Sequence, residues 1–584
     1  MKKYLIFAIL SLLIALPSCV DTLPEEVIDY KEFYANTDDA DNAILGLYGQ
    51  FMELAGQVII LNELRADLMD VTDNATTDLQ EINIGKPSKS NQWSNVSTFY
   101  KVIQTCNDII YNFNSMLKDN RITQPEYDER YSDVAALRTW IYLQLGIHFG
   151  KVPYITEPIV AIDDLEKYKA NELTLDQLIP ELIRFMESLP TLENYQNSKL
   201  VQETLDGYSL QPFFMDKRCL LGDLYLFNDE YEKAAVTYRR VLATSEDLDA
   251  TQNNVKYRLY TYVWTTGTPT WYQILYADGK TEDIGSLYNG WVNMFSATTT
   301  GRYTLNEMIW FLAYDSKYEP TYPFLELFNP VGFKGGKYLL KPSAYSVDSI
   351  WSGEVQKNQY PFDARGLTGA FEKYGNDYVI RKYSYASELG TDLRGHWWLY
   401  RAAMLHLRFA EAANRAGYPK LAWAFVNDGL AGSAFAFTKE NGDSYPGDSV
   451  RISGYSPFEP YPAPYYFDAR QNDQPYLRQP WRNNGGVRGR ANLPNVNFPA
   501  TCVTKQDSIH FVERQIISEA ARELGFEGHR WEDLIRVARR MNKESAGSGN
   551  HFLWDENIRK KYERDGISGV DLSSEDKWFL PMYR

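Results

Sequence analysis

A helical repeat in the middle of the chain constrains the fold more than any other part of the sequence. Residues 215–242 read MDKRCLLGDLYLFNDEYEKAAVTYRRVL. The residues with the types and spacings of a tetratricopeptide repeat are Leu221, Gly222, Tyr225, Tyr231, Ala234 and Tyr238. Such a repeat is a pair of antiparallel helices whose small residues allow close packing. Because one pair cannot bury its apolar face alone, the pattern predicts that further helices stack against it.

Other segments extend the helical pattern. Ala410, Gly417 and Ala422 occupy the same relative positions in a weaker second copy of the repeat. Residues 131–149 and 511–540 carry apolar residues every three or four positions, which is typical of helices with one buried face. We therefore expect a mostly α fold built of tetratricopeptide-like helical repeats.

The segments between these helices have a different composition. Residues 257–382 and 442–500 are rich in Tyr, Trp, Gly, Pro and Thr, and a short run at 307–312 is typical of a strand. They predict long loop-rich insertions that carry a few short strands. Long structured loops in a folded domain often carry its function.

The first residues of the chain are typical of a secreted lipoprotein. Lys2 and Lys3 precede an apolar run at 4–16 that is too short for a membrane span, which takes about 20 apolar residues. Cys19 follows directly, as in a bacterial lipobox, where the leader is removed and the cysteine thiol receives lipid. This pattern predicts a signal peptide at 1–18 and lipidation at Cys19. The alternative is an ordinary secretory leader with a coincidental cysteine.

The composition is that of a folded protein with a full core. Hydrophobic residues make up 44% and charged residues 23% of the 584 residues, so disorder does not explain the chain. The formal charge of -17 argues against a nucleic-acid partner, because binding to phosphates requires clustered Lys and Arg. Beyond Cys19, the three cysteines Cys106, Cys219 and Cys502 allow at most one disulfide, and the first two are predicted to be small core residues of helices.

The sequence lacks the motifs of common enzyme classes. Its histidines form no zinc-binding spacing, and no G-x-S-x-G motif occurs. Gly335, Gly336 and Lys337 are followed by Tyr338 instead of the Ser or Thr of a phosphate loop. A glycoside hydrolase, which needs two suitably spaced carboxylates, is the less favoured alternative. We predict a protein that is not an enzyme, without cofactor, metal or catalytic residues.

Charged residues near the end of the chain have two interpretations. One predicted helix carries three glutamates, and the next opens with charges of both signs: Glu513, Glu519, Glu523, Glu527, His529, Arg530, Asp533 and Arg536. They could be catalytic carboxylates, or they could form an ion network between adjacent helices. The ion network is favoured, and the same holds for Arg401, Arg408 and Glu411.

Motifs spread over the whole chain carry a family resemblance. In order, they are 21–24 (DTLP), 93–107 (WSNVSTFYKVIQTCN), 137–158 (LRTWIYLQLGIHFGKVPYITEP), 360–366 (YPFDARG), 378–383 and 511–536 (FVERQIISEAARELGFEGHRWEDLIR). This ordered set resembles the SusD/RagB family, surface lipoproteins of Bacteroidetes that capture nutrients for an outer-membrane transporter. The last motif is the most specific of the set.

The resemblance implies the layout and the setting of the protein. One SusD-like domain is expected over 19–584, after the signal peptide. Its helical scaffold is expected at about 35–255, 395–440 and 505–545. Its loop-rich ligand-binding insertions are expected at about 257–390 and 440–505. The resemblance further implies a lipid anchor in the outer membrane, a position facing the cell exterior, and a SusC-like TonB-dependent transporter as partner.

The favoured function is the capture of oligosaccharides or polysaccharides without catalysis. Sugars have apolar faces between hydroxyl groups, so aromatic rings with short polar neighbours suit them. The resemblance implies candidate ligand-binding residues at the positions where family members contact their ligands. They are Asp73, Asn74, Trp93, Trp271, Tyr288, Asn289 and Trp291. The alternatives are a peptide-binding member of the family, for which an acidic surface would suit basic peptides, or a member that serves as a transporter lid.

Overall fold

A computed structural model represents the protein. It describes residues 33–160, 171–195, 198–202, 204–205, 208–243, 257, 259, 262–265, 268–271, 291, 293–296, 307–315, 319–357, 359, 361–384, 395–430, 437–438, 444–445, 461–467, 481 and 484–583.

Helices form most of the described secondary structure. In chain order they are α1 Thr37–Met52, α2 Ala55–Ile59, α3 Thr77–Asn83, α4 Ser97–Lys118, α5 Gln124–Phe149, α6 Leu175–Glu187, α7 Lys199–Gln202, α8 Lys217–Phe227, α9 Tyr231–Leu242, α10 Asn293–Ser296, α11 Phe324–Phe328, α12 Ala402–Arg415, α13 Pro419–Val426, α14 Val487–Arg490, α15 Lys505–Leu524, α16 Arg530–Glu544, α17 Ser548–Leu553 and α18 Arg559–Asp565. Helix α2 continues directly into a π-helical turn, Ile60–Leu64.

The described strands are short. They are β1 Met69–Val71, β2 Lys151–Pro153, β3 Glu172–Thr174, β4 Thr204–Leu205, β5 Tyr208–Ser209, β6 Tyr262–Thr265, β7 Thr268–Trp271, β8 Met308–Tyr314, β9 Leu340–Pro342, β10 Phe371–Tyr374, β11 Asp377–Ile380, β12 Gly395–Arg401, β13 Phe437–Thr438 and β14 Ser444–Tyr445. They pair as antiparallel two-stranded ladders, of which β1 with β9, β8 with β12 and β10 with β11 matter for the site.

Local sequence explains where several helices begin. The side chain of Asn36 accepts hydrogen bonds from the first backbone N–H groups of α1. Thr123, Thr174 and Thr504 form reciprocal capping boxes before α5, α6 and α15. These side chains satisfy N–H groups that have no partner within the helix.

The predicted repeat is present as two packed helices. Helices α8 and α9 form the pair expected from residues 215–242, and Gly222 of α8 lies directly against the ring of Tyr238 on α9. Helices α12 and α13 form the second pair, and α9 packs against α12. The expected fold class is therefore confirmed: a mostly helical scaffold of repeat-like pairs, with short strands in the segments between them.

One large hydrophobic core joins the described parts of the chain. It extends in sequence from Tyr34 to Leu580. Three of its aromatic rings, from Phe51, Trp310 and Trp397, cluster around the partly buried Trp140, with centroid separations of 5.0 to 6.1 Å. Cys106 and Cys219 are buried in helices, as predicted.

The charged residues near the end of the chain form a buried ion network. The fully buried Arg365 lies 2.6 Å from Asp363, 2.6 Å from Glu519 and 2.8 Å from Glu523. Glu523 also accepts a hydrogen bond from Arg401 at 2.7 Å. These contacts link α15 to the loop before β10 and to the end of β12, so the predicted ion network is confirmed.

A second part of the network joins α12 to α16. The carboxylate of Glu411 accepts hydrogen bonds from Arg536 at 2.7 Å and from Arg540 at 2.6 Å. Arg408 pairs with Glu532 at 2.9 Å and with Asp533. Each charge is buried beside an opposite charge, which offsets the cost of its removal from water.

Candidate ligand-binding site

Asp73 and Asn74 lie exposed at the end of β1. The backbone N–H of Thr72 donates to the carbonyl of Leu339 at 3.0 Å, and the Thr72 hydroxyl donates to the carbonyl of Tyr338. The side-chain amide of Asn74 donates to the same Tyr338 carbonyl at 3.4 Å. These bonds fix the loop beside β9 while both side chains remain accessible to a ligand.

Tyr338 connects this loop to the β10–β11 hairpin. Its hydroxyl donates to the carbonyl of Tyr378 at 3.0 Å, and its ring stands edge-on to that of Tyr374 with centroids 5.2 Å apart. Tyr338 is buried, whereas 40% of Tyr374 is exposed. Burial, followed by the charges of Asp377, Tyr374 and Asp73, raises the pKa of Tyr338 well above its ordinary value.

Trp93 lies half-buried in the loop between α3 and α4. Its ring faces Gly56 and Pro323: a Cβ placed on Gly56 would lie 3.6 Å from the ring and 3.7 Å from Pro323. The Gln57 side chain donates to the backbone carbonyls of Trp93 at 2.8 Å and Asn95 at 2.9 Å. Packing on one face and hydrogen bonds to the backbone hold the tryptophan in place while part of it stays accessible.

The Trp93 loop is attached to the start of α3. The side-chain amide of Asn91 donates to the carbonyl of Asp78 at 2.9 Å, and the backbone N–H of Gln92 donates to the Asp78 carboxylate at 3.1 Å. Asp78 is in the first turn of α3, four residues after Asn74. The structure therefore brings Asp73, Asn74 and the Trp93 loop to the N-terminal end of the same short helix.

Trp291 is placed in the interior. Only 1% of it is exposed, and it packs edge-on against Phe295 with centroids 5.2 Å apart in a small core with Phe311 and Trp398. The ammonium of Lys382 lies 5.0 Å from the ring centroid. A direct contact between this ring and a ligand would require the cluster to open.

The remaining candidates lie where the structure gives no side-chain position. Trp271 ends β7, opposite Tyr262, and its side chain is outside the described part. Tyr288, Asn289 and Cys19 are outside the described residues. Their assignments stay predictions.

The sequence analysis did not predict that Tyr338, which contacts Tyr374, lies beside the loop that carries Asp73 and Asn74. The available signal was the run Tyr374-Gly375-Asn376-Asp377, in which Gly-Asn is a hairpin turn that leaves the flanking residues at an exposed tip. Tyr338 follows a glycine-rich loop and has φ +49. Its neighbours in sequence do not indicate that β1 lies next to it.

Among the described residues, no group of three or more His, Cys, Asp or Glu could hold a metal ion. No single described helix is long and apolar enough to cross a membrane; only Thr37–Met52 and Ala55–Leu64 together, bent by 45°, meet that requirement.

Comparisons with known proteins give the class of the fold. A SusD-like carbohydrate binding protein from Bacteroides fragilis matches over 94% of this chain and 98% of its own, with 14% identity and a TM-score of 0.56. Surface glycan-binding protein A from Bacteroides uniformis matches over 93% and 96%, with 15% identity and a TM-score of 0.53. A SusD superfamily protein from Bacteroides vulgatus matches over 94% and 96%, with 14% identity and a TM-score of 0.54. The chain therefore has the mostly helical fold of SusD-like proteins.

A family model adds a match in sequence over the last part of the chain. The model of the SusD family matches residues 471–583, which include α14 to α18 and the buried carboxylates of α15. A comparison with curated proteins found no match. The family match and the shared fold together confirm the resemblance to the SusD/RagB family.

Proposed function

We propose that the protein is a cell-surface glycan-binding lipoprotein that captures oligosaccharides or polysaccharides and delivers them to a SusC-like TonB-dependent outer-membrane transporter. The SusD-like fold is the observation that carries this proposal, because solved structures of that fold are described as carbohydrate binding and surface glycan-binding proteins. Binding occurs without catalysis and without a cofactor. Residues 19–584 act as one domain, which the continuous core from Tyr34 to Leu580 supports.

The geometry at the end of β1 suits such a ligand. Asp73 and Asn74 offer accessible hydrogen-bonding groups, and Trp93 offers a partly exposed ring on the same end of α3. An aromatic face stacks on the apolar face of a sugar while polar side chains replace the hydrogen bonds that its hydroxyl groups make with water. Trp271, Tyr288 and Asn289 are further proposed contacts.

The leader at 1–18 and Cys19 support an anchored position. Lipidation of Cys19 would tether the protein to the outer membrane with the domain facing the cell exterior, where polymers are met. Metabolic labelling with a palmitate analogue should mark the wild-type protein and not the Cys19→Ala variant. Equal labelling of both proteins would contradict the lipid anchor and would leave the proposal of glycan binding unchanged.

A soluble form of residues 20–584 tests the binding function. It should bind at least one class of glycan on an array of plant and host polysaccharides, with a dissociation constant in the micromolar to millimolar range, about -8 to -4 kcal/mol. Asn74→Ala should weaken binding by calorimetry and lower the melting temperature only slightly, because the exposed side chain makes one long hydrogen bond, 3.4 Å, to the Tyr338 carbonyl. Retention of peptides and not of sugars from a mixed pool would contradict the proposal.

A peptide-binding role is the second candidate. The formal charge of -17 and the exposed Asp73 favour basic peptides as ligands under that alternative. A role as a transporter lid without its own ligand would leave both sugars and peptides unbound. A glycoside hydrolase would release shortened products from the bound glycan, which chromatography detects.

A further inference from the structure

Two buried carboxylates share one arginine in the interior of the scaffold. Asp223 lies in α8 and Glu532 in α16, and both side chains are buried. Arg408 of α12 contacts both: its Nε lies 3.4 Å from Asp223, and its Nη2 lies 2.9 Å from Glu532. The two carboxyl groups also line the same cavity of about 20 Å³. We call Asp223 and Glu532 the acid pair.

The cations nearest to the acid pair are shared with other carboxylates. Arg408 also pairs with Asp533 and lies 3.9 Å from Glu411. Arg536 lies 2.7 Å from Glu411 and 2.9 Å from Asp533. Its next carboxylate, that of Glu532, is 3.8 Å away. Two guanidinium groups are thus divided among four carboxylates.

The next cations do not restore the balance. Arg540 contacts Glu411 at 2.6 Å, but it also pairs with the buried Glu513. Arg415 lies 3.5 Å from Glu513 and also pairs with Glu544, which is partly exposed. Among the described residues, five buried carboxylates in this part of the network therefore face four guanidinium groups. If every carboxyl group were ionised, a negative charge would be buried without a cation, which is costly.

Asp223 is bound by neutral donors. The hydroxyl groups of Tyr238 and Tyr400 both donate to its Oδ1. Its contact with Arg408 is an ion pair without a hydrogen bond, because the arginine Nε makes none. A protonated carboxyl group keeps the same acceptor for both tyrosines, and its second oxygen can carry the proton. The site therefore suits a neutral Asp223 as well as an ionised one.

The cavity gives the proton a hydrogen-bond partner. Its volume suits one water molecule, and a buried water needs two to four polar neighbours. The acid pair and His529 supply them, whereas the carboxylate of Asp216, also in the lining, is already paired with Arg218 at 2.7 Å. The titratable and charged groups that face the acid pair are Asp216 and Cys219 at the start of α8, Tyr238 of α9, Tyr400 of β12, Arg408 and Glu411 of α12, and His529, Asp533 and Arg536 in or directly before α16.

We propose that the acid pair is a proton-binding site, which holds one shared proton at neutral pH and loosens the packing around α8 when it releases that proton at alkaline pH. Burial raises the pKa of Asp223 and of Glu532 above their ordinary values, although the charge of Arg408 opposes the shift. Burial also lowers the pKa of His529, so the proton belongs to the carboxyl groups and not to the imidazole.

The proton makes stability depend on pH in a definite direction. The ordinary pKa values of the two groups are 3.8 and 4.5, so the unfolded chain has lost the proton above about pH 5. The folded protein still holds it, and its stability therefore falls as the pH rises until the acid pair ionises. Over that range, the acid pair alone raises the equilibrium constant for unfolding about tenfold per pH unit.

Urea unfolding of residues 20–584 between pH 6 and pH 9 tests the proposal. Glu532→Gln replaces a protonated carboxyl group by a neutral amide of the same shape, so it should be close to wild type at pH 6. Its stability relative to wild type should then improve with rising pH, by about tenfold in the unfolding constant per unit. Asp223→Asn should act in the same way, because its amide oxygen can still accept from Tyr238 and Tyr400. Infrared spectra at pH 7 should show a protonated carboxyl group in the wild type that both variants lack.

Asp67→Asn is the matched control. Asp67 is buried and accepts two hydrogen bonds of 2.7 Å from Arg530, so its charge has a cation without help from a proton. The variant should be less stable than wild type by the same factor at every pH from 6 to 9. A similarly constant factor for Glu532→Gln, or an unchanged infrared signal in both amide variants, would overturn the proposal. Stability at pH 8 that depends on sodium or potassium and not on pH would assign the balance to a bound cation and would overturn it as well.

Hydrogen exchange of the wild type gives a test that needs no variant to fold. After correction for the intrinsic rate, the amides of α8 should lose protection between pH 7 and pH 9, while those of α4 should keep theirs. Unchanged protection of α8 over this range would overturn the proposal.

Discussion

The ring of Tyr238 occupies the position where a side chain on Gly222 would begin: a Cβ on this glycine would lie 2.4 Å from the ring. The ring cannot move away easily, because the Tyr238 hydroxyl donates to the buried carboxylate of Asp223. Helices α8 and α9 can therefore pack this closely because Gly222 has no side chain.

We expect Gly222→Ala to destabilise the protein. Overpacking at a rigid ring costs about 1–3 kcal/mol, which exceeds the gain of about 1 kcal/mol from the better helix propensity of alanine. Urea denaturation followed by circular dichroism measures the change. Gly46→Ala in α1 is the control, because no atom lies within 4 Å of the added Cβ, and it should stabilise the protein slightly. Equal effects of the two substitutions would contradict the packing argument.

Loss of a buried arginine should be more damaging than loss of an exposed one. Arg365→Met leaves Asp363, Glu519 and Glu523 without one of their cations in a fully buried position, and breaking such a pair costs about 3–5 kcal/mol. The midpoint of thermal unfolding should fall clearly. Arg184→Met removes an exposed partner of Glu181 and should leave that midpoint unchanged.

Acid should weaken the ion network. Burial alone would raise the pKa of Glu411, but the charges of Arg536 and Arg540 outweigh it and hold this pKa well below the ordinary value of 4.5. Because the folded pKa is lowered, the stabilisation is present above pH 4.5 and is lost as the pH falls below it. The free energy of unfolding in urea should therefore decrease steeply between pH 5 and pH 3.

Glu411→Gln tests the origin of this acid sensitivity. The variant should be less stable at pH 7, because two guanidinium groups lose a charged acceptor, and its stability should change less between pH 5 and pH 3. An acid profile parallel to that of the wild type would assign the loss of stability to other carboxylates.

Trp291 and Trp93, two of the three tryptophans predicted as ligand contacts, should respond differently to truncation. Trp291→Ala removes a ring from a buried cluster and should cost about 3–5 kcal/mol of stability. Trp93→Ala, at a half-buried loop position, should lower glycan affinity with a smaller loss of stability. Thermal unfolding and calorimetry on both variants separate the two effects. A loss of glycan affinity in a folded Trp291→Ala protein would show that the cluster opens to the ligand.

Thiol reactivity should follow burial. Cys106 and Cys219 are buried, and burial raises the pKa of Cys106 to about 12, so neither should react with Ellman's reagent in the native protein. Cys502 is partly exposed and should react. In the soluble form of residues 20–584, one thiol is expected before denaturation and three after it. Reaction of all three in the native state would contradict the packing of α4 and α8.

The repeat pair could be predicted because its signal is local. Gly222 and Tyr238 lie on consecutive helices, and their spacing alone encodes the contact. The acidic face of α15 could also be assigned to an ion network, although spacing did not show which arginine pairs with which carboxylate.

The arrangement around the site depends on long-range pairing. Asp73 approaches Tyr338 only because β1 pairs with β9, some 270 residues later. Trp291 is buried because β8 and β12 bring Phe311 and Trp398 over it, which periodicity within its own segment does not encode.

The buried ion network has a consequence for the order in which the protein folds. The carboxylates of Glu519 and Glu523 follow their cations at Arg365 and Arg401 by more than a hundred residues in the sequence. Without α15, closing the middle of the scaffold would bury Arg365 and Arg401 without two of the carboxylates that neutralise them, at a cost of several kcal/mol. The interior of this scaffold should therefore close last, and a chain truncated before α15 should remain open to proteases.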